Sequence, residues 1–174
     1  MNLNGRWDLY YALETREMKD SPEYLRRYSE KIPAEVPGNV ELDLERAGRE
    51  PDPFYAENIY RFRKYEFYRW QFERSFDAPE HRTSSRWLLV FEGLNCFADV
   101  YLNDEWVGES ANAMIAHPFD VTDALRYGES NRLTVRIRSA VNQARKVELP
   151  AFVETHESGE ELTLTVDENG AVSE

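Results

Sequence analysis

Carboxylates are the chief reactive groups of this chain, which carries 33 Asp and Glu against three His and a single Cys. Two carboxyl groups held about 5 to 5.5 Å apart, with their pKa values driven apart, form an acid/base and nucleophile pair. The acids here fall on polar strand faces, at helix ends and in the tail, where solvation or capping accounts for them, and no catalytic pair emerges. His81, His117 and His156 are scattered without ligand spacing and Cys96 has no partner motif, so no zinc site is expected. Asp99, Asn103, Asp104, Asp120 and Asp123 are hard oxygen donors of the kind calcium takes, but turns and helix caps explain them more simply. With no P-loop, no G-x-S-x-G and no G-x-G-x-x-G, no cofactor is expected either. The best polar candidates share one loop. Pro51 and Pro53 stiffen it, and it carries Asp52, Tyr55 and Asn58, whose amide can bond hydroxyl groups in two directions. The plainer alternative is that Asp52 caps the turn and Tyr55 packs on the core.

A length of 174 residues suits one domain, and a hydrophobic share of 41% with 23 aromatics is enough to build a core. A (β/α)₈ barrel, typically about 250 residues, does not fit. The net charge of -12 argues against nucleic acid, which needs a basic stripe. No run of apolar residues is long enough to cross a membrane, so neither partner is expected. Seven acids and no Lys or Arg lie in 154–174, which reads as a solvated acidic segment. The lone Cys and the lack of an Asn-x-Ser/Thr sequon lean towards a cytoplasmic, bacterial protein; a periplasmic or secreted one follows if a signal peptide has been removed.

The elements that must position the loop are mostly strands. Trp7, Leu9, Tyr11 and Leu13 alternate with Asp8, Tyr10 and Ala12, the period of a strand with one face on a core. Residues 15–31 read as a surface excursion with a helical turn around Pro22 to Tyr28. Pro33 and Pro37 bracket an extended segment. Asn39 caps a short helix with Val40, Leu44 and Ala47 on one face and Gly48 as its stop. Tyr68, Trp70, Phe72 and Phe76 share a strand parity, whereas Phe54, Tyr55, Tyr60, Phe62 and Tyr65 follow no strand period. Trp87 to Phe91 reads as a strand buried on both faces, and Ala98, Val100 and Leu102 as a half-buried one. Asn103-Asp104 is a hairpin turn, because both tolerate positive φ. Thr122 caps a helical turn that ends near Gly128, Leu133, Val135 and Ile137 alternate again, and Leu162, Leu164 and Val166 offer a last strand. The expected fold is all-β, a jelly-roll-like antiparallel sandwich with a few short helices over 1–150, followed by an acidic segment over 151–174 with at most one strand.

Several separated anchors then carry a family resemblance. They run Leu3-Asn-Gly-x-Trp7, Pro33-x-x-Val-Pro-Gly38, Pro51-Asp-Pro-Phe-Tyr55 with Asn58, and Trp70-x-Phe72-x-x-x-Phe76. Tyr101-Leu-Asn103, Asn112-Ala-Met114, Phe119-Asp-Val-Thr122 and Arg138-Ser-Ala-Val141 follow. In that order they resemble the N-terminal, galactose-binding-like sugar-binding domain of glycoside hydrolase family 2, tilted towards β-mannosidases over β-galactosidases and β-glucuronidases. The resemblance covers roughly residues 3 to 146. Beyond it the family's Gly-Trp-Asp-Trp-Gly-Pro loop and Gly-x-Trp-Arg strand are missing, which implies a truncated product, a fragment or a divergent stand-alone domain.

The resemblance implies a non-catalytic accessory domain, partnered by the catalytic barrel and other domains of a parent glycosidase that acts on a β-linked mannoside or related oligosaccharide. Asn58, Tyr55 and Asp52 are then the candidate sugar contacts, and Phe54, Tyr55, Tyr60, Phe62 and Tyr65 the candidate interdomain face. A stand-alone carbohydrate-binding module with those aromatics as a stacking platform is the second hypothesis. A protein-interaction sandwich that has lost its sugar role is the third, and an aromatic cluster buried under residues 15–31 would favour it over both others.

Overall fold

A computed structural model describes residues 1–82 and 86–146, together with the backbone of 165–166 and 172–173. Its centre is a six-stranded antiparallel sheet of order β2-β1-β3-β8-β5-β6. The strands are β1 (Gly5–Leu13), β2 (Glu30–Val36), β3 (Tyr68–Asp77), β5 (Phe97–Leu102), β6 (Glu105–Ala111) and β8 (Ser130–Ile137). A second, two-stranded sheet joins β4 (Leu88–Phe91) to β7 (His117–Asp120). The helices are α1 (Pro22–Tyr28), α2 (Val40–Arg46) and α3 (Ala140–Ala144), with a 3₁₀ segment over Asn58–Phe67. A separate ribbon pairs β9 (Thr165–Val166) with β10 (Val172–Ser173). Val166 of the last expected strand is in β9, and Leu162 and Leu164 lie outside the described residues. Among the described residues no helix is long and apolar enough to cross a membrane.

Period-two alternation gives the large sheet two unlike faces. In register, Ile32, Leu9, Phe72, Val135, Val100 and Gly108 cross all six strands as one inner row. Gly108 ends that row because a Cβ there would lie 2.5 Å from the Phe119 ring, so β7 can pack closely only where a side chain is missing. The inner face is covered in two parts. Leu44 of α2 and Phe62 of the 3₁₀ segment close over Leu9, Tyr11, Ile32 and Trp70. Leu89 and Phe91 of β4, with Phe119 of β7, lie against the cluster of Val100, Leu133 and Val135. Leu88 and Val90 on the far side of β4 are 51% and 53% exposed, so the expectation of a strand buried on both faces fails: β4 lies in the outer layer and one of its faces meets water.

The outer face of the sheet is polar and yet sealed. Tyr10, Gln71, Arg136 and Asp99 stand in one cross-strand row, with Asp8, Glu73, Thr134 and Tyr101 in the next. Arg136 is 1% exposed and Gln71 0%, because residues 14–29 lie across them as a strap. Gln71 Nε2 donates to the Pro22 carbonyl at 2.9 Å, Asp20 accepts from Arg69 at 3.0 Å, and Asp20 also pairs with Arg136. Arg26 of α1 joins Glu73 and reaches Asp104 at 2.6 Å. Residues 15–31 are therefore a structural cover, with Pro22 and Leu25 buried, where the sequence points to a surface excursion. Ion pairs that bridge 47 and 78 positions have no local signature.

Local chemistry sets the connections. Asn39 Oδ1 accepts the Leu42 N–H and starts α2, and Asp43 on that helix accepts the Glu35 N–H at 3.1 Å and so ties α2 to β2. Pro33 falls in β2, an edge strand, where a missing donor is tolerated. Asn103 and Asp104 take φ of 56° and 69°, as the hairpin between β5 and β6 requires. Asn103 also bonds Arg132 N, Ala124 O and Asn131, pinning that hairpin to β8. The turn after β7 is capped by Asp120, whose Oδ1 accepts from Thr122 N and Oγ1, and not by Thr122. Thr122 Oγ1 instead accepts the Trp87 N–H at 2.8 Å, linking the turn to the start of β4.

Two outcomes follow from the strap. Arg26→Ala strands the Glu73 carboxylate, whose side chain is only 8% exposed, and should cost about 3 kcal/mol in urea denaturation. Adding Glu73→Gln should recover part of that loss, because the uncompensated charge is then gone. Burial raises the Asp104 carboxyl, but hydrogen bonds and charge from Arg26 and Arg132 outweigh it and hold the group below the usual Asp value. A depressed folded pKa means stability present above the unfolded value of about 4 and lost as pH falls through the folded one. Thermal stability of the native chain should thus fall more steeply below about pH 4 than that of Asp104→Asn.

Candidate functional site

The candidate loop begins where α2 ends. Gly48, at φ +67°, turns the chain, and Arg49 N bonds back to the Leu44 carbonyl at 2.9 Å. Asp52 Oδ1 then accepts the Phe54 N–H at 2.8 Å, its carbonyl accepts Asn58 Nδ2 at 2.9 Å, and Asn58 N bonds the Tyr55 carbonyl at 3.2 Å. Asp52, Tyr55 and Asn58 are thus brought together as one knot. Asp52 is its turn former, which agrees with the structural alternative for that residue. Tyr55 does not pack on the core: it is 72% exposed.

The five irregular aromatics divide. Phe54, Tyr55 and Tyr60 are 78%, 72% and 67% exposed, and Ile59 at 48% extends the patch. Phe62, by contrast, is 5% exposed and sits in the core with Trp70, and half-buried Tyr65 packs edge-on to Tyr11 and Tyr68. The candidate interface thus loses Phe62 and Tyr65. The reason is the 3₁₀ conformation, which repeats every three residues and so directs Phe62 and Tyr65 to one side, onto the core. Residues 15–31 do not cover these rings, because they lie over the polar face of the sheet, so the sign that would favour a protein-interaction sandwich is not seen.

Glu50, not singled out in the sequence, braces the loop from below. Its side chain is 4% exposed; Oε1 accepts from Tyr65 Oη at 2.9 Å and pairs with Lys64 at 2.5 Å, while Arg61 stands 3.6 Å from Oε2. Burial raises the Glu50 carboxyl, but hydrogen bonds from Lys64 and Tyr65 and the charges of Lys64 and Arg61 leave it lowered. The Tyr65 hydroxyl is pushed well up, first by burial and then by its bond to Glu50. The signal available in sequence was two cations, Arg61 and Lys64, three apart on a segment that follows an acid flanked by Arg49 and Pro51.

The buried carboxylates are engaged with cations: Glu73 with Arg26, Asp99 with Arg136 and Arg138, Glu50 with Lys64, and Asp43 with Arg46. They are ion-paired in the interior, where solvation or capping was expected. Among the described residues no three His, Cys, Asp or Glu cluster as metal ligands. His117 Nε2 lies 2.6 Å from the Asn112 carbonyl and 2.9 Å from Ser110 Oγ, closing the loop that exposes Met114 at 90%.

The sequence and the fold both have relatives. Residues 15–166 match the family described as glycosyl hydrolase 2 galactose-binding domain-like. A β-mannosidase of Rattus norvegicus is 32% identical over 117 residues, which are 66% of this chain and 13% of that protein. A β-mannosidase B of Thermothelomyces thermophilus is 35% identical over 107 residues, 62% of this chain and 12% of that protein. Among solved structures, a β-D-mannosidase of Dictyoglomus thermophilum superposes with a TM-score of 0.69 at 31% identity, over 84% of this chain and 16% of its own. A β-glucuronidase of Ruminococcus gnavus shares the fold, with a TM-score of 0.56 at 18% identity over 78% of this chain and 21% of its own. The chain thus spans about an eighth of the curated β-mannosidases that it matches. On this family match, and on a layered antiparallel fold shared with the Dictyoglomus thermophilum enzyme, the chain belongs to the galactose-binding-like domains of the family 2 glycosyl hydrolases.

Proposed function

We propose that this domain is a non-catalytic N-terminal accessory part of a larger β-mannosidase-like glycoside hydrolase, buttressing a catalytic barrel and forming part of the wall of its sugar pocket. The observation that carries the reading is the ridge of Phe54, Tyr55 and Tyr60, exposed to water on a loop that Glu50 and the Asp52–Asn58 bond brace from within. Exposed rings on a braced support suit a preformed interface, which orders little on docking. In this reading the hydrolytic carboxyl pair belongs to the barrel, and the substrate is a β-linked mannoside or related oligosaccharide. The domain acts by positioning and by water exclusion. Asn58, whose Nδ2 is engaged by Asp52, presents Oδ1 to a sugar hydroxyl, and Tyr55 supplies an adjoining ring and hydroxyl. A bacterial cytoplasm is the compartment that fits this assignment.

One feature favours a second reading. Three exposed aromatics on the loop and the start of the 3₁₀ segment also suit a stand-alone carbohydrate-binding module, since sugar rings stack on such faces. The readings differ in what the purified 174-residue chain does. As an accessory domain it should neither hydrolyse an aryl β-mannoside nor give heat on titration with mannan oligosaccharides. Binding that disappears with Tyr55→Ala would establish the module and remove the accessory reading, and turnover would remove both. In a full-length enzyme carrying this domain, Asn58→Ala should raise KM about fivefold to tenfold with little change in kcat, as loss of one hydrogen bond to bound sugar implies.

A further inference from the structure

Strand registers fix what stands at each end of the large sheet. Leu13 faces Tyr68, Trp70 and Ala98 both face Ile137, Phe97 faces Ala111, and Tyr11 faces Glu30. β1, β8 and β6 therefore finish at the end where β2, β3 and β5 start. The 3₁₀ segment enters β3 there, and Arg49, which leads into the braced loop, pairs with Glu30 at 3.0 Å. The ridge of Phe54, Tyr55 and Tyr60 thus belongs to this end, on the side of β1 and β2. The connection 112–116 between β6 and β7 leaves from the same end at the other side of the sheet. Four strand spacings separate β1 from β6, so the two loops are rooted about 19 Å apart.

The 112–116 connection is held in one shape. Asn112 Oδ1 accepts the Met114 N–H at 2.8 Å as an Asx turn, and the Asn112 carbonyl lies 2.6 Å from His117 Nε2, which also stands 2.9 Å from the buried Ser110 hydroxyl. His117 stacks on Phe119, whose ring packs on Gly108, so the loop is rooted in the interior of the sandwich. What this frame holds out into water is apolar: Met114 is 90% exposed and Ile115 53%. Loop tips are ordinarily polar, and an apolar pair on a fixed loop is the form of an anchor that fills a recess on a partner. A thioether adapts its shape to such a recess.

We propose, on the accessory reading above, that Met114 and Ile115 are a second anchor for the catalytic part of a parent glycosidase, seated in an apolar recess of the same body that meets the Phe54 ridge. The partner is a folded body, because bridging two loops about 19 Å apart at one end of a sheet takes a surface of that breadth. The matched β-mannosidases have room for one, since they share only 13% and 12% of their length with this chain. Contact through the ridge alone leaves the partner free to pivot about one loop. A second anchor across the sheet fixes the tilt, and with it the place of Asn58 against the sugar, where a shift of about 1 Å matters.

Methionine oxidation reads the second anchor separately from the first. Hydrogen peroxide turns an accessible methionine into its sulfoxide, which mass spectrometry resolves at Met114. In a full-length enzyme carrying this domain, Met114 should oxidise about tenfold more slowly than in the 174-residue chain. Met114→Glu with Ile115→Glu changes two exposed positions and should leave the melting temperature of the chain as it is. In the full-length enzyme the same pair should shorten the half-life at elevated temperature about tenfold, and an unchanged half-life would overturn the proposal. Equal Met114 oxidation in both proteins, with Tyr55 and Tyr60 shielded from hydroxyl radicals in the full-length enzyme, would also overturn it and leave the accessory reading in place. So would Met114 oxidation in the 174-residue chain that slows with rising concentration, because a second copy would then cover it. Tyr55 and Tyr60 as reactive in the full-length enzyme as in the chain would remove the accessory reading, and the anchor with it.

Discussion

The structure depends on covering both faces of its two central strands. β3 and β8 alternate large apolar side chains with large polar ones, Trp70 and Phe72 against Arg69, Gln71 and Glu73, and Val135 against Thr134 and Arg136. A strand with apolar groups on one side alone could leave the other side in water. Here the polar side is also buried, and an unpaired guanidinium or carboxylate there would cost several kcal/mol. The strap of residues 14–29 meets that demand by supplying Asp20, Arg26 and the Pro22 carbonyl at the points where Arg136, Glu73 and Gln71 need partners. A well-paired interior of this kind adds little net stability over an apolar one, but it admits only one position for the strap.

The apolar face is covered unevenly, and the site is a consequence of that unevenness. Above β1 and β2 the cover is helical, from α2 and the 3₁₀ segment, and the rings of the loop between them, Phe54 and Tyr55, stay outside it. Phe62 and Tyr65 enter the core; Phe54, Tyr55 and Tyr60 are left outside. Glu50 makes the arrangement stiff, since its buried carboxylate fixes Lys64 and Tyr65 and thereby the whole 3₁₀ segment relative to the loop. The loop is thus held in place by a buried ion pair and a proline-bounded turn.

Features that repeat locally were legible in the chain. The alternation from Trp7 to Leu13 placed β1, Asn39 and Gly48 marked α2, and Asn103-Asp104 marked the hairpin, because each is decided within a few residues. The 3₁₀ segment was not, since a spacing of three between Ile59, Phe62 and Tyr65 matches neither a strand nor an α-helix. The exposure of Leu88 and Val90 depends on the width of the second layer, a property of the assembled sandwich. The sequence points to Thr122 as the cap of the turn after β7; the Trp87 N–H, 35 positions away, takes the Thr122 hydroxyl, and Asp120 caps the turn instead. The knot of Asp52, Tyr55 and Asn58 followed from its prolines and polar types, whereas its brace at Glu50 rests on contacts as distant as Tyr65, 15 residues on.

The central claim is that a sealed sheet holds one set of aromatic rings inside and presents another on a fixed loop. Hydroxyl-radical footprinting of the isolated chain, resolved by residue, reads this directly. The account predicts strong oxidation of Phe54, Tyr55 and Tyr60, with Tyr11, Phe62 and Trp70 protected by about tenfold or more. Equal labelling of the two sets, or protection of the loop rings while Phe62 and Trp70 react, would contradict it.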